Sequence, residues 1–295
     1  MKDKDIRAVV KNYICGMLDS PLNSLREKNH TPIYENVLLG AASGADSLFE
    51  SFSAPDACGA QHCTPLALFR RAMPKTSCRA QDLSVICWVL PQSAETRREN
   101  RAQSELPAPR WGLAKLQGEE FYIKMGRALE QRLNSGGIPA FFPMGHPEIV
   151  KRFSDDRLFL SSFWSERHAC FAAGLGTFGL CDGLITPAGK AHRCGSIIVK
   201  ARVTPTPRTY LGLHDYCPYF TNKSCGTCAK RCPVEAISES GHNKEKCHTF
   251  LHGEAGALFH ANGFDVSACG LCQTGVPCED RIPGGAFCSV VRDFI

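Results

Sequence analysis

Cys225-Gly-Thr-Cys228-Ala-Lys-Arg-Cys232-Pro233 spaces three thiols by two and then three residues, and a proline follows the last. This spacing puts thiolates on a tight loop that can wrap the corners of an iron–sulfur cube. The cysteine before the proline points away and serves a second cube where two are present. A second group answers downstream: Cys247, then Cys269-Gly-Leu-Cys272, then Cys278. With Cys217 upstream the set reaches eight thiols, enough for two [4Fe–4S] clusters of four ligands each. Zinc is the competing reading of close cysteines. It favours paired C-x2-C knuckles, and a C-x3-C-P tail lies outside that pattern.

The rest of the chain fits a soluble globular protein. Its 295 residues are 43% hydrophobic and 21% charged, long enough for a full core and for two domains. A net charge of +5 permits a polyanionic partner without arguing for one. Seventeen cysteines in a chain of this size point to metal-held thiols rather than disulfide staples. The start, Met-Lys-Asp-Lys-Asp-Ile-Arg, shows no apolar signal region, and the longest apolar runs fall short of a membrane span. The expectation is a cytoplasmic protein with no membrane partner.

In chain order, Ile6, Val9, Val10, Tyr13, Ile14 and Met17 fall at helical spacing and predict a helix over 4–19, ended by Pro21. Tyr34–Gly40 is short and apolar, and Gly40–Gly44 reads as a small-residue turn. Cys58-Gly-Ala-Gln-His62-Cys63 admits a metal reading, but free thiols in a loop are favoured because zinc knuckles use other spacings. Leu83–Leu90 is a continuous β-prone run and predicts a buried central strand. Glu95–Arg101 reads as a solvated, arginine-rich loop, with phosphate contact as the sharper alternative. A helix follows over Gly118–Leu133, stopped by Gly136-Gly137, and then a short strand over Ile138–Pro143.

Residues 162–196 are dense in chemistry. Glu166-Arg167-His168 lies on a short helix that runs into Gly174-Leu-Gly176-Thr177-Phe178-Gly179. As letters this is G-x-G-x-x-G, but a helix precedes it and an extended segment, Leu184–Thr186, follows, so the dinucleotide fingerprint is rejected. The glycines are read as a place where backbone approaches a flat, bulky ligand. The bland alternatives are a surface pair for Glu166 and Arg167 and a core or capping role for His168. A strand over Ser196–Val203 and the proline-punctuated Thr204–Pro207 complete this part.

Taken together, Ala-Gly-Leu-Gly-x-x-Gly, Leu-Ile-Thr-x-x-Gly, a strand and a C-x2-C-x3-C-P module resemble the epoxyqueuosine reductase family, relatives of the reductive dehalogenases. The resemblance runs from about Leu83 to Cys278. It implies an α/β (α+β) nitroreductase-like cobalamin-binding domain over 1–210 and a two-cluster bacterial ferredoxin-like domain over 211–295. It implies an enzyme, a cobalamin-dependent [4Fe–4S] reductase that passes electrons through two clusters to cobalamin for a reductive reaction on a small or nucleotide-like substrate. The family binds cobalamin base-off, and the D-x-H-x-x-G of His-on binders is absent here. The implied cofactor-binding residues are Gly174, Gly176, Thr177, Phe178, Gly179 and Ser196. One cluster takes Cys217, Cys225, Cys228 and Cys278, and the other Cys232, Cys247, Cys269 and Cys272.

The chain departs from the family pattern in four places. Asn222 stands where the first cysteine of the first motif belongs, so Cys217 is assigned in its stead. Val276-Pro277 stands at the third place of the last motif, and Cys278 follows two residues late. The aspartate expected just before Glu166 is missing from Phe159–Phe163, which leaves Glu166 or His168 as the proton donor, with Asp155 and Asp156 further upstream. Finally, the chain ends at Ile295, without the helical-repeat region that holds tRNA, which argues against a tRNA substrate. The implied partner is an external ferredoxin- or flavodoxin-like electron donor. A ferredoxin-type electron-transfer protein with a degenerate or flavin-binding cofactor domain is the alternative.

Overall fold

The run beginning at Leu83 forms the central strand β2 (Ser84–Pro91), and every one of its residues is buried. Its side chains alternate between two cores. Val85, Cys87 and Val89 join one, and Ile86, Trp88 and Leu90 join the other. A strand buried on both faces reads as a continuous apolar run because neither face meets water. The computed structural model describes residues 3–27, 29–54, 57–150, 152–153 and 161–284, and nothing of the side chains of residues 3–5 and 152–153. Asp155 and Asp156 lie outside the described residues.

The main sheet has four strands: β1 (Leu38–Ser43), β2, β3 (Ala140–Phe141) and β4 (His192–Val199), in the order β1-β2-β4-β3. All three pairings are antiparallel, with Gly40 opposite Cys87 and Cys87 opposite Ser196. Helix α1 (Asp3–Leu18) and the long helix α2 (Pro109–Ser135) share the core on the Trp88 side. Helix α3 (Glu166–Ala172) packs on the Cys87 side. Among the described residues no helix is long and apolar enough to cross a membrane.

Several boundaries differ from the sequence expectation. Gly40–Ser43 is strand, not turn, because hydrogen bonding to β2 overrides the poor strand propensity of small residues. The arginine-rich segment is not a loop but a helix, Ala94–Arg101. Ser93 caps it, accepting from the Thr96 N–H, with Glu95 in the first turn and Arg98 and Arg101 in the last. Helix α2 begins at Pro109, nine residues before the expected start, because Pro109 itself supplies the first-turn residue. The strand expected over Ser196–Val203 begins at His192 and ends at Val199, and the one expected over Ile138–Pro143 is only Ala140–Phe141.

The cysteine-rich region carries short helices at Pro218–Asn222, Thr227–Lys230, Lys244–His252 and Glu254–Ala261 and a ribbon pairing Ile237–Ser238 with Gly241–His242. It is docked on the helix Ala94–Arg101 and on the start of α2. Phe250, Ala255, Phe259 and Ala268 share a small core with Ala108 and Trp111. Gly112 makes this close approach possible, since a Cβ there would lie 2.3 Å from the Phe259 ring. Asn100, fully buried, donates to the Cys269 carbonyl (3.2 Å) and to Thr274 Oγ1 (3.1 Å) and accepts from the Ala108 N–H (2.9 Å). Arg101 Nε donates to the buried Glu279 carboxylate at 3.0 Å.

Candidate active site and metal centres

A cavity of about 830 Å³ opens between the sheet domain and the cysteine-rich region. On one side it is lined by Tyr34, Gln92, Glu166, His192 and Arg193, and on the other by His242, Cys247, Cys269 and Cys272. A cavity of this size, with polar and charged groups converging on it, can hold a cofactor or a substrate.

Glu166 opens helix α3, whose packing on β2 and β4 fixes the direction of its side chain. The residue reaches the cavity, yet its carboxyl is buried: Oε2 is out of contact with solvent and has no hydrogen-bond partner among the described residues. Tyr122 Oη lies 3.4 Å from Oε1, and Arg193 stacks over the Tyr122 ring at 4.5 Å. Burial pushes the Glu166 carboxyl up from 4.5 to about 8, against the opposing pull of Ser196, Arg193, Trp164 and Tyr122. At neutral pH it is a carboxylic acid with a proton to give. Gln92 Oε1, also in the cavity wall, is the second lining oxygen that is buried without a partner among the described residues.

His168 lies elsewhere. Its Nδ1 is 2.8 Å from Ser165 Oγ and 3.2 Å from Cys58 Sγ, and its ring packs on Phe52 and Phe178. It does not line the cavity, and burial holds its pKa down at about 3. A neutral, enclosed imidazole is a structural residue, so of the two only Glu166 reaches the cavity. His62 is similar: it is stacked on Trp164, accepts from the Ser165 N–H at 3.2 Å, and is lowered to about 4 by burial. The Cys58–Cys63 segment is a loop with free thiols, as expected, and both thiols are packed into the core.

The glycine-rich turn also faces the chain itself rather than the cavity. Gly174 adopts φ +78°, and a Cβ at Gly176 would lie 2.2 Å from the Ile185 carbonyl oxygen. At Gly179 the nearest atom is a methyl of Ile185. Thr177 Oγ1 accepts from the Tyr216 N–H at 2.9 Å, and the Phe178 N–H donates to the Leu213 carbonyl at 2.7 Å. None of these five residues lines the cavity. They hold the ribbon of Thr177–Phe178 and Leu184–Ile185, and through it the segment leading to Cys217. Ser196 is fully buried under the site, where its Oγ accepts from Trp164 Nε1 at 3.0 Å and bears on the Glu166 carboxyl.

The thiols fall into two neighbourhoods. Cys278 lies within electrostatic reach of Cys217 and Cys228, and Cys269 within reach of Cys232, Cys247 and Cys272. Cys225 Sγ lies 3.6 Å from Thr227 Oγ1. Among the described residues no group of three or more His, Cys, Asp or Glu side chains could hold a single metal ion.

Sequence reasoning missed three residues here. Cys181 and Lys190, both buried, stand between the two thiol neighbourhoods, Lys190 Nζ donating to Cys181 Sγ at 3.1 Å. His242 Nδ1 is 3.2 Å from Asp182 Oδ2, and hydrogen bonds to Asp182 and Cys247 raise its pKa to about 9. The one available signal was a lysine inside an otherwise apolar and glycine-rich stretch. His192 donates to or accepts from the cavity's own wall: Nε2 lies 2.8 Å from the Leu184 carbonyl oxygen and Nδ1 3.6 Å from Cys194 Sγ.

No protein-family model matches the sequence, and no curated protein matches it. Solved structures do. The chain is similar to an epoxyqueuosine reductase bound to an epoxyqueuosine-modified tRNA-Tyr stem loop, at 16% identity and a TM-score of 0.48, covering 93% of this chain and 66% of that one. It is similar to the epoxyqueuosine reductase of Bacillus subtilis, at 16% identity and a TM-score of 0.46, covering 96% and 68%. It is also similar to a reductive dehalogenase described for B12-dependent dehalogenation, at 16% identity and 0.47, covering 95% and 37%. The chain spans about two thirds of the reductases and about a third of the dehalogenase.

Proposed function

We propose that this chain is an iron–sulfur oxidoreductase that carries two [4Fe–4S] clusters and a cobalamin and performs a reductive reaction on a small or nucleotide-like substrate. One observation carries the reading: a single cavity is bordered by Cys247, by Cys269 and Cys272 of the downstream C-x2-C pair, and by a carboxylic acid that keeps its proton at neutral pH.

The donor set fits two cubes better than single ions. Seven of the eight thiols lie in two neighbourhoods, as expected where each thiol binds a separate iron corner. The cavity also fits a corrin held base-off. Both nitrogens of His192 are engaged by the chain, and His242 is tied to Asp182 and Cys247, so neither histidine is free to take a metal. Gln92, with its unpaired Oε1, and Tyr34 and Arg193 are the residues that would hold amide groups at the corrin's edge.

Bound cobalamin supplies the low-potential metal centre that the side chains themselves lack. The protein's own part is positioning and proton supply. Glu166 holds a proton on its carboxyl and Tyr122 steadies Oε1. Arg193, fixed by its ion pair with Glu119, sits close enough to stabilise the carboxylate once the proton is gone. Electrons come singly from a ferredoxin- or flavodoxin-like donor through the cysteine-held clusters.

The test is anaerobic reconstitution. Iron near eight per chain is expected, and added cobalamin is expected to show a base-off Co(II) EPR signal only when the protein is present. Free-cobalamin spectra beside intact cluster signals would replace this reading with electron transfer to a partner protein or a flavin.

A further inference from the structure

Lys190 is 3% exposed, and among the described residues it forms no ion pair with a carboxylate. A buried ammonium without a compensating charge costs several kcal/mol or more. Its side-chain partner is Cys181, whose Sγ accepts from Nζ at 3.1 Å. Cys181 is itself 5% exposed and lies in the loop between the strands Thr177–Phe178 and Leu184–Ile185. Its Sγ lies 3.9 Å from the Cys272 carbonyl oxygen, and the thiols of Cys228 and Cys272 are its neighbours. Lys190 is also tied to the same region by its main chain, its N–H donating to the Cys278 carbonyl at 2.9 Å.

These contacts matter because of where the two partners belong. In the two-cluster reading, on which this inference rests, Cys228 is a ligand of one cluster and Cys272 of the other. Ligands of one cube occupy separate iron corners, so a thiol that neighbours one ligand of each cluster is placed between them. We propose that Cys181 and Lys190 form a tuning site lodged between the two metal centres, with Lys190 as the buried cation common to both and Cys181 as the thiol that links it to one ligand of each. Reduction adds negative charge to a cluster, and a fixed cation in a low-dielectric surrounding stabilises that charge. Because the cation is shared, it raises both potentials together and keeps the two centres matched for single-electron passage. Both residues act through the ligands and are positioning residues.

The experiment uses the full chain, reconstituted anaerobically, with Lys190→Met, Lys190→Arg and Cys181→Ser compared by iron content and by EPR-monitored redox titration. All three variants are expected to keep the wild-type iron content. Lys190→Met shifts both midpoint potentials to more negative values, Lys190→Arg leaves them near wild type, and Cys181→Ser moves both in the same direction as Lys190→Met but less. Unmoved midpoints in Lys190→Met overturn the proposal, and so does a shift confined to one cluster. Loss of half the iron in Cys181→Ser makes Cys181 a ligand and overturns its role as a link. If Lys190→Met does not fold, Cys181→Ser carries the same test, and unshifted midpoints in it overturn the proposal. A wild-type chain that takes up no iron removes the two-cluster reading as well, which separates that failure from failure of this inference alone.

Discussion

Glu166 concentrates the chemistry of the site in one protonation state, and linkage gives that state a measurable consequence. Its folded pKa of about 8 stands above its ordinary value of 4.5 because burial disfavours the charged form. Between these values the unfolded chain has lost the proton and the folded chain keeps it. The contribution of Glu166 to stability is therefore fully present below pH 4.5, falls as pH rises through the window, and levels off above about 8. The total is roughly 3–5 kcal/mol. Glu166→Gln, neutral at every pH, is expected to abolish this slope in urea midpoints measured at pH 5, 6.5 and 8.5; an unchanged slope would assign it to other groups. Infrared difference spectra offer a direct check, since a protonated-carboxyl band should vanish as pH passes about 8 and be missing from Glu166→Gln. His62 and His168 act in the opposite sense. Their folded pKa values of about 4 and about 3 lie below 6.5, so their contribution is present above 6.5 and is lost as pH falls toward those values.

At the scale of elements, the glycine-rich turn shows what a motif can and cannot say. The helix before Gly174 and the extended segment after Gly179 were legible from capping residues and periodicity, and they correctly excluded a dinucleotide fold. The purpose of the glycines was not legible, because a missing Cβ admits a ligand or another stretch of backbone equally well. Here it admits backbone, since Gly176 faces the Ile185 carbonyl. Gly176→Ala is expected to destabilise even the metal-free, cofactor-free chain by about 1–3 kcal/mol as the ribbon is pushed apart. A normal urea midpoint with weakened cobalamin binding would instead restore the ligand role. The cysteine spacing was the clearest signal in the sequence, because thiols at x2 and x3 followed by proline have few uses. Cys181 stayed hidden because its neighbours, Cys228 and Cys272, are 47 and 91 residues away in sequence (228 − 181 and 272 − 181) and only folding brings them together. The helix Ala94–Arg101 was misread for a related reason. Its charges suggested solvent, while its buried face, Thr96 and Asn100, is polar: Thr96 is held by the capping Ser93, and Asn100 by Cys269 and Thr274 from a distant part of the chain.

For the whole molecule, the question is whether the cysteine-rich region stands alone. Its docking contacts argue that it does not. Phe259 fills the space left open at Gly112, Trp111 packs against Gly270, and the Glu279 carboxylate is buried against Arg101. Asn100 holds the Cys269 carbonyl, while the Lys190 and Ala191 N–H groups reach the Cys278 and Glu279 carbonyls. A fragment of residues 211–295 would expose Phe250 and Phe259 and leave these polar groups without partners, each at a cost of about 1–3 kcal/mol. Such a fragment is expected to aggregate or to retain less than half of the full chain's iron after the same anaerobic reconstitution. Asn100→Ala in the full chain reproduces part of the effect, because it removes three hydrogen bonds at once. Its iron should pass to a ferrous chelator faster than from wild type, while Arg98→Ala, on the exposed side of the same helix, should release iron at the wild-type rate. A soluble fragment with full iron content, together with unchanged release from Asn100→Ala, would make the boundary at 210/211 a true division between two independent folding units. The cavity would then owe its shape to docking of finished parts rather than to a common core.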